Sequence, residues 1–201
     1  QLLNRRVFCN KVLGTWPSID FTLFIVEIND LKLENQLLGL SQNMAFRKPI
    51  YKGQQLLTIG HGIANNPEQT IRFNQDSDCI VFSEKKDIQY LADPDLRDPT
   101  EYRVWSFANG CDISHGDSGS AVVDKRTGEL VGVIWTGQTP KSLRIQKSAY
   151  LKNIYTSNST EIWRELTYAV PATKIYEIIK NDIKTAQLSD SIKTLRAVLE
   201  D

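Results

Sequence analysis

Histidine and cysteine are scarce in this chain of 201 residues, which holds two histidines and three cysteines. Three cysteines are too few for a disulfide framework, and no Cys or His pair has metal-ligand spacing, so no cofactor or metal is predicted. No run of about 18 apolar residues occurs, so no segment is expected to cross a membrane. Basic and acidic residues both number 24. This zero net charge argues against nucleic acid as a main partner, because phosphate binding needs a cationic field.

Proline and glycine are also infrequent, at seven and eleven residues, which excludes a fibrous repeat. Four Trp, seven Tyr and seven Phe oppose disorder, and the length allows one large domain or two small ones. The chain starts at Gln1 and its single methionine is Met44. We therefore expect it to be a piece of a longer protein.

Short apolar runs separated by turn residues extend from Arg6 to about Thr136, and this pattern predicts many short strands without intervening helices. The predicted strands are Arg5–Cys9, Phe21–Ile28, Gln55–Ile59, Thr70–Phe73, Cys79–Phe82, Tyr102–Ser106, Ser120–Val123, Glu129–Trp135 and Glu165–Val170. Five polar residues, Asp124–Gly128, predict a hairpin loop between two of them. The sequence therefore indicates an antiparallel barrel or sandwich.

The C-terminal third has a different pattern. Residues 138–164 are rich in Lys and Ser and predict a long surface loop. Pro171 is expected to open a helix, in which Ile175, Ile178 and Ile179 repeat at helical spacing. A second helix is predicted after Ser189 or Ser191, and its apolar residues are Ile192, Leu195 and Leu199.

The segment Gly116-Asp-Ser-Gly-Ser120 lies between two predicted strands and carries the chemistry. A nucleophilic serine needs an exposed hydroxyl on a tight turn, with backbone N–H groups directed at the developing oxyanion. Glycine on either side permits such a turn and leaves room for a substrate backbone. Because a strand follows Ser118, the segment differs from the serine-hydrolase elbow that leads into a helix.

GDSGS, followed by an apolar strand, a turn and GELVGVIW, resembles the trypsin-like (chymotrypsin-fold) serine peptidases. Within this family, the sequence resembles the bacterial glutamyl-endopeptidase-like branch more than the pancreatic enzymes. Asp20, in Ile19-Asp-Phe-Thr-Leu-Phe24, matches the family's triad aspartate at the start of a strand, and Val12–Trp16 looks like the loop before it. The resemblance assigns Ser118 as nucleophile, Asp20 as the residue that orients the base, and the N–H groups of Gly116 and Ser118 as the oxyanion hole.

The implied fold is all-β, with two antiparallel barrels and the active site between them. The chain would supply the end of the first barrel and a linker in residues 1–45, the second barrel in residues 46–170, and C-terminal helices in residues 171–201. The motifs QQLLTIG (54–60) and Ala169-Val-Pro-Ala172 are similar to strands of the second barrel.

The resemblance requires a histidine base before Asp20, and none of the preceding 19 residues is histidine. His61 lies in a loop that has no catalytic role in the family, and His115 takes a position that contacts substrate. Three explanations stay open: the base lies on an N-terminal piece of the same precursor that remains bound, the chain has been shortened, or the protein is a degenerate peptidase. We expect an N-terminal partner, because half a barrel would expose apolar surface and unpaired strand edges.

Further site residues follow from the resemblance. Asp112, six residues before the serine, matches the base of the primary specificity pocket, which suggests a basic residue before the cleaved bond. The opposite wall, formed by Ile134, Trp135, Thr136 and Gly137, would pair with the substrate backbone. Asp117 either pairs with an N-terminus freed by processing or forms hydrogen bonds within its loop.

The cysteines bear on the compartment. Relatives with cysteines at the places of Cys79 and Cys111 commonly bridge them, and Cys9 is then left over. A bridge would favour a secreted or periplasmic protein, since disulfides persist in oxidising compartments, and free thiols would favour the cytoplasm.

The leading hypothesis is a serine endopeptidase that forms an acyl-enzyme on a protein or peptide substrate. The alternatives are a catalytically dead peptide-binding module and a protein that cleaves only itself.

Overall fold

The computed structural model describes residues 8–30, 32, 34–35, 44–60, 71–93, 102–113, 116–137, 166–185 and 190–200. Within these residues the chain forms nine strands, namely β1 (Phe8–Trp16), β2 (Phe21–Glu27), β3 (Leu56–Gly60), β4 (Arg72–Asn74), β5 (Gln89–Ala92), β6 (Arg103–Asn109), β7 (Ala121–Asp124), β8 (Leu130–Gly137) and β9 (Thr167–Pro171). The helices are α1 (Ala172–Thr185) and α2 (Asp190–Glu200). None of the helices in these ranges is both long and apolar enough to span a bilayer.

Seven of the strands form one antiparallel sheet in the order β4-β3-β7-β8-β9-β6-β5. The central strands β7, β8 and β9 carry mostly buried residues, as expected for strands with a neighbour on each side. The two helices follow the last strand. This architecture confirms the predicted class, an antiparallel β-protein with C-terminal helices, whereas the division into domains stays a prediction.

The core has two parts, and both are built on the seven-stranded sheet. One part lies between the sheet and the helices, where Tyr168, Ile175 and Ile179 are at most 2% exposed. The other part is formed by residues of the strands, such as Leu56, Phe107, Val122 and Ile134, together with the cysteines Cys79 and Cys111. The helices cover the sheet through the apolar face that their isoleucine spacing predicts.

Strands β1 and β2 form a separate two-stranded sheet, which we call the N-terminal ribbon. A short 3₁₀ turn, Pro17–Ile19, connects the two strands. Ile19 is fully buried against the main core, but the other end of the ribbon carries exposed apolar side chains. Phe8, Val12 and Phe24 are 65%, 54% and 49% exposed. The ribbon is therefore anchored at its turn and open along its strands.

The structure corrects several predicted elements. Val12–Trp16 belongs to β1, so the interpretation of this segment as a loop is wrong. Cys79–Phe82 is not a strand. Ile80 makes a single bridge to Gln55, just before β3, and Val81 makes a single bridge to Asn109, the last residue of β6. Pro171 ends β9 and the helix starts one residue later, at Ala172.

Other predicted elements lie where the sequence places them. The hairpin loop after β7 forms as predicted, because the Asp124 carboxylate accepts hydrogen bonds from the N–H groups of Arg126 and Thr127. The predicted loop 138–164 and strand residues 5–7 lie outside the described residues.

Candidate active site

Ser118 lies on a tight turn that leads into β7, and its side chain is exposed. The turn passes through Gly116 and Gly119, whose φ angles of 95° and 87° are in the left-handed region that favours glycine. Two backbone hydrogen bonds hold it: the N–H of Gly119 donates to the carbonyl of Ile134 at 2.7 Å, and the N–H of Ser120 donates to that of Asp117 at 2.9 Å. The sequence therefore presents the Ser118 hydroxyl on a fixed backbone.

The N–H groups of Gly116 and Ser118 are the backbone donors on either side of Asp117, next to the Ser118 hydroxyl. Within the described residues, neither the N–H of Gly116 nor that of Ser118 donates to a backbone acceptor. Unpaired N–H groups on a rigid turn next to a hydroxyl match the requirement for stabilising an oxyanion. The geometry is thus compatible with the role that the resemblance assigns to both groups.

Asp117 points away from the exposed surface and is 7% exposed. It packs against Gly60 at the end of β3, where an added Cβ would overlap the Asp117 carboxylate and the Ser120 hydroxyl. A small pocket beside this contact is also lined by Thr58, Asn74 and Ile113. The turn of Ser118 (residues 116–120) is therefore packed directly on β3, and the absence of a side chain at position 60 makes the close approach possible.

Asp20 follows the 3₁₀ turn of the N-terminal ribbon. Its backbone is in the left-handed region (φ 43°, ψ 49°), and its N–H donates to the carbonyl of Pro17 at 3.1 Å. The exposed carboxylate accepts a 2.6 Å hydrogen bond on Oδ1 from the hydroxyl of Tyr102. Burial, and then the bond to Asp20, raise the pKa of Tyr102.

Tyr102 and Trp135 connect the surroundings of Asp20 with those of Ser118. The two rings meet edge to face with their centroids 6.4 Å apart. The carbonyl of Trp135 accepts a hydrogen bond from the Ser118 hydroxyl at 3.2 Å, and its indole N–H donates to Ser106 Oγ at 2.8 Å. Sequence reasoning missed the role of Tyr102, because a tyrosine in a predicted strand belongs to no motif.

The predicted substrate wall is mainly backbone. Ile134 and Trp135 are only 1% and 5% exposed, so their side chains belong to the core, and their assignment to the substrate wall stays a prediction. Thr136 is 9% exposed and donates to Asp93 at 3.3 Å, while Gly137 lies against Ile113.

The backbone of the same segment has an open edge. Along β8 the pairing with β7 extends only to Val133, and Ile134 exchanges hydrogen bonds with Gly119 and Ser120 of the Ser118 turn. Of the remaining residues, Thr136 and Gly137 pair with β9 on one side, and Trp135 has no partner on β9. Within the described residues no strand pairs with their other edge, which leaves a place for a peptide strand next to Ser118.

Asp112 lies near two other carboxylates, Asp76 and Asp78. Its side chain is exposed, which differs from the buried carboxylate expected at the base of a pocket. Partial desolvation, and then the charges of Asp76 and Asp78, raise its pKa. Its proposed contact with a basic substrate residue stays a prediction.

The structure contains the disulfide that the resemblance implies, between Cys79 and Cys111, with an S–S distance of 2.09 Å. It joins the segment after β4 to the segment between β6 and the turn of Ser118. Cys9 is free and exposed on β1. Both histidines, His61 and His115, lie outside the described residues, so the part of the chain that the structure describes contains no imidazole base.

No known family model matches this sequence, and no curated protein matches it. The fold is similar to solved structures of Rv3671c, a protein of M. tuberculosis H37Rv, in its inactive form. For a serine-to-alanine mutant the TM-score is 0.49 at 15% identity, covering 89% of this chain and 67% of the solved one. For the structure described as the Rv3671c protease, the TM-score is 0.49 at 16% identity, covering 85% and 65%. The chain thus spans about two thirds of either solved chain, and the similarity is one of fold alone.

Proposed function

We propose that the protein is a trypsin-like serine endopeptidase. The observation that carries the proposal is the turn of Ser118, which combines an exposed hydroxyl with the N–H groups of Gly116 and Ser118, neither of which donates to a backbone acceptor within the described residues. A buried Asp117 and a glycine-dependent packing contact fix this turn, so its donors need little reorganisation during a reaction.

In the proposed mechanism, Ser118 Oγ attacks the carbonyl carbon of a peptide bond while a histidine accepts the hydroxyl proton. The carbonyl oxygen becomes an oxyanion, which the N–H groups of Gly116 and Ser118 stabilise. The C–N bond then breaks, the histidine gives the proton to the leaving amine, and an acyl-enzyme remains. Water, deprotonated by the same histidine, hydrolyses the ester and restores Ser118. Asp20 orients the histidine and stabilises its charged form.

The histidine is proposed to lie on an N-terminal piece of the same precursor. Two observations support this. None of the 19 residues before Asp20 is histidine, and the N-terminal ribbon exposes Phe8, Val12 and Phe24 beside strand edges that lack a neighbour among the described residues. Such a surface is unfavourable unless another segment covers it. The exposed thiol of Cys9 offers a site for a disulfide to that piece.

The substrate is proposed to be a protein or peptide bound as an added strand along residues 135–137. The neighbouring carboxylates of Asp76, Asp78 and Asp112 support a preference for a basic residue before the cleaved bond, because a cation is favoured near three carboxylates. The Cys79–Cys111 bridge supports a secreted or periplasmic location.

Labelling with a fluorophosphonate, which reacts with activated serines, tests this function. The natively purified protein is first characterised by intact mass and N-terminal sequencing, and then labelled. We expect a second chain with a histidine, modification at Ser118, and complete loss of labelling in Ser118→Ala. Ser77→Ala, at an exposed serine in another loop, serves as control. A single chain that remains unlabelled would contradict the proposal.

The second candidate is a dead peptide-binding module. The lack of a histidine in the 19 residues before Asp20 favours it, together with the open edge of β8 beside Ser118. A protein that does not react with the fluorophosphonate but binds peptides, with an affinity that Ser118→Ala leaves unchanged, would be such a module.

A further inference from the structure

We infer that Tyr102 is a positioning residue that fixes one oxygen of the Asp20 carboxylate and leaves the other to orient the base. The inference rests on the proposed function. Tyr102 lies 82 residues after Asp20 in sequence, and its hydroxyl reaches Asp20 Oδ1 at 2.6 Å. This distance is typical of an O–H group that donates to a charged carboxylate.

The Asp20 side chain needs an external support. Its backbone is held by the turn, through the hydrogen bond to Pro17, but its carboxylate is exposed. An exposed aspartate exchanges between rotamers unless a partner selects one. Within the described residues, Tyr102 provides the side-chain hydrogen bond that makes this selection. The second oxygen, Oδ2, is left to accept from an imidazole.

Tyr102 is suited to this role because its own position is coupled to the nucleophile. Its ring contacts the Trp135 ring in an edge-to-face arrangement. The indole N–H of Trp135 donates a hydrogen bond to Ser106, and its backbone carbonyl accepts one from Ser118 Oγ. A rigid, half-buried ring thus transmits the geometry of the nucleophile strand to Asp20. Tyr102→Phe would retain this packing and remove only the hydrogen bond.

A spectroscopic titration tests the contact without reference to activity. Tyrosinate absorbance is followed at alkaline pH in the full protein, and the contribution of Tyr102 is the difference between the parent and Tyr102→Phe. In Asp20→Asn the charge that holds the phenol proton is gone, so we expect Tyr102 to bind its proton about tenfold less tightly. Asparagine is tolerated at this left-handed position. Asp93→Asn, which removes a charge without a hydrogen bond to Tyr102, should have a smaller effect.

The catalytic consequence is measured on the natively purified protein as the rate of fluorophosphonate labelling and as peptide hydrolysis. A hydrogen bond to a charged group is lost in Tyr102→Phe, so we expect labelling and kcat to fall about tenfold or more, with KM unchanged. Tyr51→Phe, at an exposed tyrosine outside the site, should behave like the parent.

The outcomes separate the inference from the proposed function. An unchanged Tyr102 titration in Asp20→Asn overturns the inference, whether or not the protein is a peptidase. Normal labelling of Tyr102→Phe overturns it too, even if the parent is active. A parent protein that is never labelled removes the proposed function, and with it the positioning role, even if the titration responds to Asp20.

Discussion

The indole N–H of Trp16 donates a 2.6 Å hydrogen bond to the carboxylate of Asp182, which joins residues 166 positions apart. Trp16 ends β1, immediately before the turn that carries Asp20, and Asp182 lies in α1. The helix after the main sheet is therefore attached to the N-terminal ribbon at the end that is buried. The exposed end has no such attachment among the described residues.

Removing this bond should destabilise the anchored end of the ribbon. In Asp182→Ala the indole N–H, on a side chain only 6% exposed, loses its charged acceptor. We expect a loss of about 1 kcal/mol, at the low end for such bonds because the aspartate is solvent-exposed. Urea unfolding measures the change. Asp182→Asn keeps an acceptor and should recover part of the loss, and equal destabilisation by the two variants would contradict this interpretation.

The Cys79–Cys111 disulfide should contribute substantially to stability. It closes a loop over a sequence separation of 32 residues, for which the chain-entropy model gives about 3–4 kcal/mol. The double variant Cys79→Ala/Cys111→Ala is expected to lose this amount in denaturant unfolding. Cys9→Ser, at the exposed free cysteine, should unfold like the parent. A double variant of unchanged stability would show that the unfolded chain gains nothing from losing the constraint.

Gly60→Ala should displace the turn of Ser118. The new Cβ would overlap the Asp117 carboxylate and the Ser120 hydroxyl, so the turn must move, at a cost of about 1–3 kcal/mol. Labelling of Ser118 should fall along with stability.

Gly128→Ala is the matched control for this variant. The Gly128 site is sterically open, but its φ is 74°, so alanine costs about 1–2 kcal/mol through backbone strain alone. We expect its labelling to be unchanged despite the lower stability. Equal losses of labelling in both variants would mean that stability, and not the Gly60 contact, controls the turn.

Asp124 should make the free energy of unfolding depend on pH. Burial opposes its ionisation, but hydrogen bonds from the Gln54 side chain and from the N–H groups of Arg126 and Thr127 outweigh burial and lower its pKa from 3.8. A carboxyl with a depressed pKa stabilises the fold above its unfolded pKa, and this contribution disappears as the pH falls through the folded value. We expect stability to decline from about pH 4 downwards, and to decline less in Asp124→Asn. Parallel pH profiles of the two proteins would refute the assignment.

The parts of the fold and site that sequence could predict are those defined by local chemistry. The glycines around Ser118 imply a tight turn because few other residues adopt left-handed backbone, and the polar run after β7 implies a hairpin. The disulfide was accessible only through the family resemblance. These features need no knowledge of which strands are neighbours.

The parts that sequence could not predict depend on tertiary neighbours. Cys79–Phe82 has the composition of a strand, yet the disulfide and two single bridges hold it as a connecting segment. Ile134 is predicted to lie in a substrate wall, but the burial of its side chain depends on which residues pack against β8. Likewise, the Tyr102–Asp20 bond joins two sheets.

Trp135 is an extra residue in β8: Ile134 pairs with Ala169 and Thr136 with Tyr168, so β8 has three residues where β9 has two. Bulges of this kind set which face each later side chain takes. Deleting Trp135 would restore a regular ladder and remove the carbonyl that Ser118 contacts. Homologous chains that keep the serine turn should therefore tolerate substitutions along β8 far better than a change of its length by one residue.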